Sequence, residues 1–447
     1  MRLLQIRLAA AALALAVCVL HAAARPRQAA PPAAIDADFE AYWRAGSPRD
    51  AAKASEKLMR DGVGFEEAWD RLSKGRPYAA APTGTRTETV HAAGLTFDNT
   101  IEVPASYDPS RRWPVRVQLH GGISRPAPQQ TTARRPNRIA GQNEIVLLPV
   151  GWNDAAWWHT SQVENILMLV DRVKRIYNVD ESHVYLTGIS DGGTGVYFFA
   201  MREASPWSAC LPLIGHLGVL SNPDTGVDGE LYTGNLANCP FFIVNSERDP
   251  LYPAARMVPY IDLMQRAGVQ LVFHPQAHAG HDTNWWPAEK AAYEQFVAAH
   301  PRQPYAERLS WETDRTDRSN RLRWLVIDAL GTTGHDATLE TINAFTPGGG
   351  RPQPLFDHHR TSGRVDVERR GNTIDARTRG VRAFTLLLSP AVFDLAAPVT
   401  VTVNGRSAFQ GNVTRDPAVL LKWAARDNDR TMLFGAELNI TPFPPTK

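Results

Sequence analysis

Val184-Tyr185-Leu186-Thr187-Gly188-Ile189-Ser190-Asp191-Gly192-Gly193-Thr194 is the stretch whose reading decides the fold. Val184 to Thr187 suits a short buried strand, and Thr194 to Met201 has the small and apolar residues of a packed helix. Between them stands Gly188-Ile189-Ser190-Asp191-Gly192, a G-x-S-x-G sequence in a strand–turn–helix context. There the serine sits on a sharp turn, and flanking glycines let backbone approach where a Cβ would clash. Its hydroxyl is held at the sheet edge, beside a helix start with unpaired N–H groups. Without that context the pattern describes any glycine-rich turn. With it, Ser190 is the candidate nucleophile.

The partners occur in a matching order. Val115 to Leu119 reads as a strand entering His120-Gly121-Gly122. A glycine pair after a strand aims N–H groups at a developing oxyanion. Gly122 is the first donor candidate and Gly121 the second, beside the N–H of Asp191. Downstream, Pro240 to Asn245 reads as a buried strand ending in Ser246-Glu247-Arg248-Asp249. Asp249 is the carboxylate placed to reach an imidazole.

Three histidines compete for that imidazole. After the strand Val269–Phe273 come His274-Pro275-Gln276-Ala277-His278-Ala279-Gly280-His281. His274 is too close to the strand end, and Pro275 stiffens that exit. His281 follows a glycine in the loop before the last helix and is the first choice; His278 remains the alternative. The order Ser…Asp…His differs from that of two unrelated serine protease folds.

On His120-Gly121-Gly122, Gly188 to Gly193, Asp249 and His281, residues of about 85–300 resemble an α/β-hydrolase catalytic domain. Within that superfamily they resemble secreted poly(3-hydroxybutyrate) depolymerase and feruloyl esterase-type enzymes, and also prolyl-oligopeptidase-like domains. The resemblance implies a mainly parallel sheet covered by helices and serine hydrolase chemistry without a metal or organic cofactor. It says much less about the substrate.

The first residues carry Arg2 and Arg7, then an apolar run from Leu8 to Leu20, then His21-Ala22-Ala23-Ala24. That is the layout of a secretory signal peptide over residues 1–24, so export to the periplasm or medium is expected. A membrane anchor is the alternative, but the run is short of the ~20 apolar residues needed to span a bilayer. Cys18 follows Val17, a poor fit to a lipid-attachment site. Of the three cysteines, Cys210 and Cys239 remain in the mature chain. Both fall just ahead of expected strands, Leu211–Leu220 and Pro240–Asn245, so a disulfide and a pair of buried thiols are both open readings.

The charge balance is near neutral, 48 Lys+Arg against 46 Asp+Glu in 447 residues. No basic stripe points to nucleic acid and no polybasic tail to membrane. There is no internal repeat, and no GxGxxG, CxxC or HExxH pattern suggests a nucleotide or metal.

Four segments are expected along the chain: the signal peptide, a leader with N-terminal helices (25–84), the hydrolase domain (85–303) and a β-rich C-terminal domain (304–447). Residues 36–75 have helical spacing and read as two or three short helices packed on the catalytic domain, or as an interaction arm. Residues 86–104 read as strands. Ile166–Tyr177 carries an amphipathic stripe, and Glu289–Ala299 reads as the closing helix. Past Pro304, period-two alternation appears, and Val399 to Val403 meets Asn404-Gly405, a hairpin signal. One helix is expected near Pro417–Arg426. This region is either a β-layer docked on the catalytic domain or a carbohydrate- or polymer-binding module. His358-His359 has no evident third ligand and reads as a solvated loop.

Several of the 12 tryptophans fall in loops at the C-terminal ends of the strands. Trp157, Trp158 and Trp285, with His159, are the candidate substrate contacts, and packing between loops is the equal alternative. The leading expectation is an exported serine esterase acting on a small or polymeric ester. A serine peptidase using the same residues, and a non-catalytic binding protein on the same fold, are the alternatives.

Overall fold

The computed structural model describes residues 32–127, 139, 143–332, 341–343, 352–356 and 360–442. The expected signal peptide and His358-His359 lie outside the described residues. Three helices come first: α1 (Pro32–Arg44), α2 (Pro48–Arg60) and α3 (Phe65–Lys74). Ser47 caps α2 by accepting a hydrogen bond from the Asp50 N–H, with Pro48 at the first helical position. Next come β1 (Gly84–Ala92), β2 (Leu95–Val103), β3 (Trp113–Leu119), β4 (Ile145–Leu148), α4 (Thr160–Ile176), β5 (Val179–Ile189) and α5 (Asp191–Arg202). The unit continues through β6 (Cys210–Leu213), β7 (Phe241–Ser246), α6 (Ala254–Arg266), β8 (Leu271–Gln276) and α7 (Trp286–Ala299).

These eight strands form one sheet in the order β1-β2-β4-β3-β5-β6-β7-β8. β1 and β2 are antiparallel, as is the β2–β4 pairing, whereas β3 through β8 run parallel. Parallel strands covered on both faces need continuous apolar runs. β4, β6 and β7 are accordingly buried at every position. In α4 the stripe Ile166, Leu169, Val170 and Val173 is buried, as its periodicity predicts. Arg116 breaks the pattern in β3. It is fully buried and pairs with Glu144 at 3.2 Å, and the Tyr185 hydroxyl also donates to Glu144.

The central strand is longer than the expected Val184–Thr187, and β6 is shorter than the expected Leu211–Leu220. β6 stops because Ile214 takes a φ of 44°, turning the chain at Gly215. A Cβ on Gly215 would stand 2.6 Å from the Gly193 carbonyl carbon of α5, so only glycine fits there. Leu217–Ser221 is 3₁₀ helix instead of strand.

The C-terminal region is β-rich. A four-stranded sheet (Arg321–Leu322, Leu325–Leu330, Val381–Leu388, Ala436–Ile440) and a five-stranded sheet share a core containing Trp311, Trp324, Phe384, Val401 and Phe434. Asn404 and Gly405 turn the Val399–Val403 hairpin with φ of 52° and 76°, the conformation that their sequence favours.

The helix α8 (Pro417–Asp427) gives α1–α3 their core partner. Leu420, Leu421, Ala424 and Ala425 pack with Phe39, Leu58, Ala68 and Leu72. The N-terminal helices therefore cover the C-terminal helix more than the hydrolase sheet. The C-terminal layer also docks on the hydrolase unit through polar bonds. Asn235 donates to the Glu312 carbonyl, and Asn238 donates to that of Ser310. That supports the docked-layer reading over a free module.

Asp429 is the electrostatic centre of this junction. It is buried and accepts from Arg302 at 2.7 Å and Lys174 at 3.4 Å. Those two cations, with bonds from Thr431, hold its carboxyl far below the usual carboxylate range against the opposing effect of burial. A depressed folded pKa contributes stability above the unfolded value, which is lost as pH falls below it. At neutral pH, Asp429→Ala leaves two buried cations short of their counter-charge and should cost about 3–5 kcal/mol. Urea unfolding of the variant beside wild type measures this; an unchanged midpoint contradicts the assignment.

Candidate active site

β5 ends at Ile189, and the chain turns at Ser190 with φ 56° and ψ −118° before α5 begins at Asp191. A non-glycine residue at positive φ is strained, and it is tolerated here because the surroundings fix it. The Ser190 N–H donates to the Leu213 carbonyl of β6 at 3.0 Å, and its carbonyl accepts from Thr194. A Cβ at Gly188 would lie 2.1 Å from the Gly192 carbonyl oxygen, and one at Gly192 would lie 2.2 Å from that of Leu119. Both glycines are therefore set by close backbone approach, as the motif implies.

The turn brings Ser190 to an imidazole. His281 Nε2 is 2.9 Å from Ser190 Oγ, and His281 Nδ1 is 2.7 Å from Asp249 Oδ2. Asp249 is buried, and its other oxygen accepts N–H bonds from Leu251 at 2.8 Å and Tyr252 at 3.0 Å. The carboxylate is thereby locked in one orientation. The competition among histidines is resolved geometrically. His274 pairs with Glu289 at 2.7 Å, and His278 is exposed in a turn at φ 65°.

On the other side of Ser190, a Cβ on Gly121 would lie 2.9 Å from the Ser190 Cβ, so the glycine turn presses against the serine. Gly122 has a φ of 66°. The turn is held by groups that the sequence reading did not single out. The Asp191 carboxylate accepts the Ile123 N–H at 2.9 Å, so this residue fixes the turn as well as following the serine. The Gly151 N–H donates to His120 Nε2 at 3.0 Å, which leaves the proton of a neutral ring on Nδ1, 2.9 Å from the Gly121 carbonyl. Tyr252 stands edge-on to the His281 ring, 5.7 Å between centroids. The only sequence signal for Tyr252 was its place just after the acid.

The expected aromatic rim needs correction. Trp157 is fully buried; its indole N–H donates to the His120 carbonyl at 2.9 Å, and its ring fills the space left by Gly151 and Gly195. It props the glycine turn from behind and does not face substrate. Trp285 is also buried, donates to the Asp282 carbonyl at 2.7 Å and packs with Phe296 and Tyr293. Trp158 and His159 do line a cleft of about 370 Å³, together with Phe198, Arg202, Val227 and Arg318. Phe198 lies eight residues beyond Ser190 on α5, roughly 12 Å along the helix. That cleft is displaced from the serine. Among the described residues, no cluster of three or more His, Cys, Asp or Glu could hold a metal ion, and no helix is long and apolar enough to cross a membrane.

His216, just past β6, is a second histidine in the neighbourhood. Its Nδ1 accepts the Gly218 N–H at 3.1 Å, and its ring packs 5.5 Å from Tyr252 and 4.8 Å from Tyr260. Burial pulls its pKa down to about 4, so the neutral ring is the folded form. The unfolded chain then binds the extra proton first, and stability present above about pH 6.5 is lost as pH falls towards 4. The expected loss is about 2–3 kcal/mol across that window. His216→Asn, which keeps an acceptor but does not titrate, should flatten that slope in unfolding curves taken from pH 7 to 4.5. An equal slope in both proteins contradicts the account.

The sheet order and the strand–turn–helix at Ser190 define an α/β-hydrolase fold. No family model matches the chain. A bifunctional acetylxylan esterase/xylanase of Neocallimastix patriciarum is 26% identical over 125 residues, which is 27% of this chain and 18% of that protein. The chain therefore corresponds to a small part of that relative's length. Among solved structures, a thermostable esterase is 18% identical over 49% of this chain and 63% of its own, with a TM-score of 0.39. Est1E from Butyrivibrio proteoclasticus is 14% identical over 48% of this chain and 98% of its own, TM-score 0.36. An acylaminoacyl peptidase from Pyrococcus horikoshii is 14% identical over 49% of this chain and 42% of its own, TM-score 0.37.

Proposed function

We propose that the chain is an exported serine hydrolase that cleaves carboxylic esters through Ser190, His281 and Asp249. The observation that carries this reading is the continuous hydrogen-bond line from Ser190 Oγ through His281 to buried Asp249, starting from a strained turn. A serine hydroxyl is a weak nucleophile until a base takes its proton. In this reading Ser190 Oγ attacks the ester carbonyl while His281 Nε2 accepts the proton and then delivers it to the leaving alcohol. Asp249 holds the Nδ1 proton, keeping Nε2 free as the base and stabilising the imidazolium. The tetrahedral oxyanion is received by the Asp191 N–H and the Gly122 turn, with Gly121 as the second donor. Each such donor contributes about 3 kcal/mol in comparable sites. Water, activated by the same imidazole, then hydrolyses the acyl-enzyme.

The 125-residue similarity to a bifunctional acetylxylan esterase/xylanase supports esters as substrates. The N-terminal apolar run supports export. These residues require no metal or organic cofactor in this scheme. Turnover of short p-nitrophenyl esters should exceed that of aminoacyl-p-nitroanilides. Faster anilide cleavage would make the chain a peptidase, and no turnover of either would favour a binding protein on the same fold.

A further inference from the structure

Cys210 and Cys239 stand at the starts of the neighbouring parallel strands β6 and β7, at the sheet end away from Ser190. The backbone fixes their approach: the Cys210 N–H donates to the Pro240 carbonyl at 2.9 Å, directly after Cys239. Their sulfurs are 2.7 Å apart and unbonded, and both side chains are buried. A closing movement of about 0.7 Å reaches covalent S–S length. Arg323 of the C-terminal layer is the nearby cation, donating to the Asn238 carbonyl at 2.9 Å. Burial, and after it the neighbouring Cys239, push the Cys210 thiol well above its ordinary range in the folded chain, and the Arg323 charge offsets this only in part.

We propose that Cys210 and Cys239 are joined as a disulfide in the mature protein. The bond forms by exchange with a disulfide donor of the thiol oxidoreductase or glutathione class. One cysteine thiolate attacks the donor's S–S bond, releasing one donor thiol and leaving a mixed disulfide. The second thiolate displaces the other donor sulfur and forms the Cys210–Cys239 bond. The two thiols give up two electrons and two protons, and the donor gains both as two thiols. Burial in the folded state excludes such a donor, so closure belongs to folding, before the strand starts are sealed. The bond closes a loop of 29 positions. It ties the strand whose Leu213 carbonyl holds the Ser190 N–H to the strand that delivers Asp249. Strand geometry and contact with a disulfide donor suffice for this bond, whether or not the site cleaves esters.

The test refolds the full chain from denaturant, once with mixed oxidised and reduced glutathione and once with reduced glutathione alone. Each sample is acid-quenched, alkylated in denaturant and cleaved after acidic residues. Asp224, Asp228 and Glu230 lie between the two cysteines, so cleavage leaves fragments joined only by the bond. Expected in the oxidised sample is the linked pair with neither cysteine alkylated, and a melting temperature roughly 5 °C above the reduced sample. The Cys210→Ala/Cys239→Ala variant should melt alike in both buffers. Full alkylation of both residues in a folded, glutathione-oxidised sample overturns the proposal, as does pairing of either one with Cys18. The wild-type arms decide the question even if the variant does not fold. Ester turnover, measured separately, decides the proposed function.

Discussion

Ser190→Ala should lower kcat for a p-nitrophenyl ester by roughly 10⁴-fold or more while leaving the fold intact. The loss follows from the geometry: Ser190 Oγ is the atom that His281 Nε2 faces at 2.9 Å. Losing Oγ breaks that hydrogen bond, and alanine has the same backbone limits at φ 56° as serine. The thermal midpoint should therefore move little. A kcat within tenfold of wild type would mean that the bond-breaking nucleophile lies elsewhere. Residual activity, if measurable, reports the oxyanion donors and binding alone.

His281→Ala should lose nearly as much as Ser190→Ala, and the double variant should lose no more than either alone, because the two act as one unit. His278→Ala is the internal control. Exposed and unconnected to Asp249, it should cost less than threefold. The variants should be compared at a fixed pH near neutrality, on kcat and KM separately. For His281→Ala the fall belongs in kcat, since in the proposed mechanism the imidazole transfers the proton and does not bind the ester. A larger loss for His278→Ala than for His281→Ala would overturn the choice of base.

The residues of this site were legible because each sits at a local punctuation. Ser190 stands between two glycines at a strand–helix junction. Asp249 follows a strand that opens with the apolar run Phe241 to Val244. Gly280 precedes His281. Such signals are short-range, and they survive whatever the rest of the chain does. Trp157 and Trp285 were not legible in the same way. A tryptophan after a strand reads alike whether it faces solvent or core, and only the hollows at Gly151 and Gly195 decide that Trp157 goes inward. The second role of Asp191 was hidden for a similar reason. Its partner, Ile123, lies 68 positions away, and nothing local announces the bond.

The same distinction governs the ends of the chain. The helical spacing of residues 36–75 was readable, but their partner was not. α8 meets them from the far end of the sequence, and Arg415, just ahead of that helix, pairs with Glu66, 349 positions away. Period-two alternation gave the strands past Pro304, whereas the docking of that layer rests on Asn235, Asn238 and the Asp429 cluster. Those are polar groups whose burial no pattern predicts. The C-terminal layer is thus structurally continuous with both the N-terminal helices and the hydrolase unit.

Reaction with an alkyl fluorophosphonate, read by intact mass and by mapping the modified peptide, decides whether Ser190 is the nucleophile. One adduct per chain is expected, on Ser190, absent from Ser190→Ala and accompanied by loss of ester turnover in step with labelling. An adduct on another residue, or a folded protein that turns over esters yet takes no label, would contradict it.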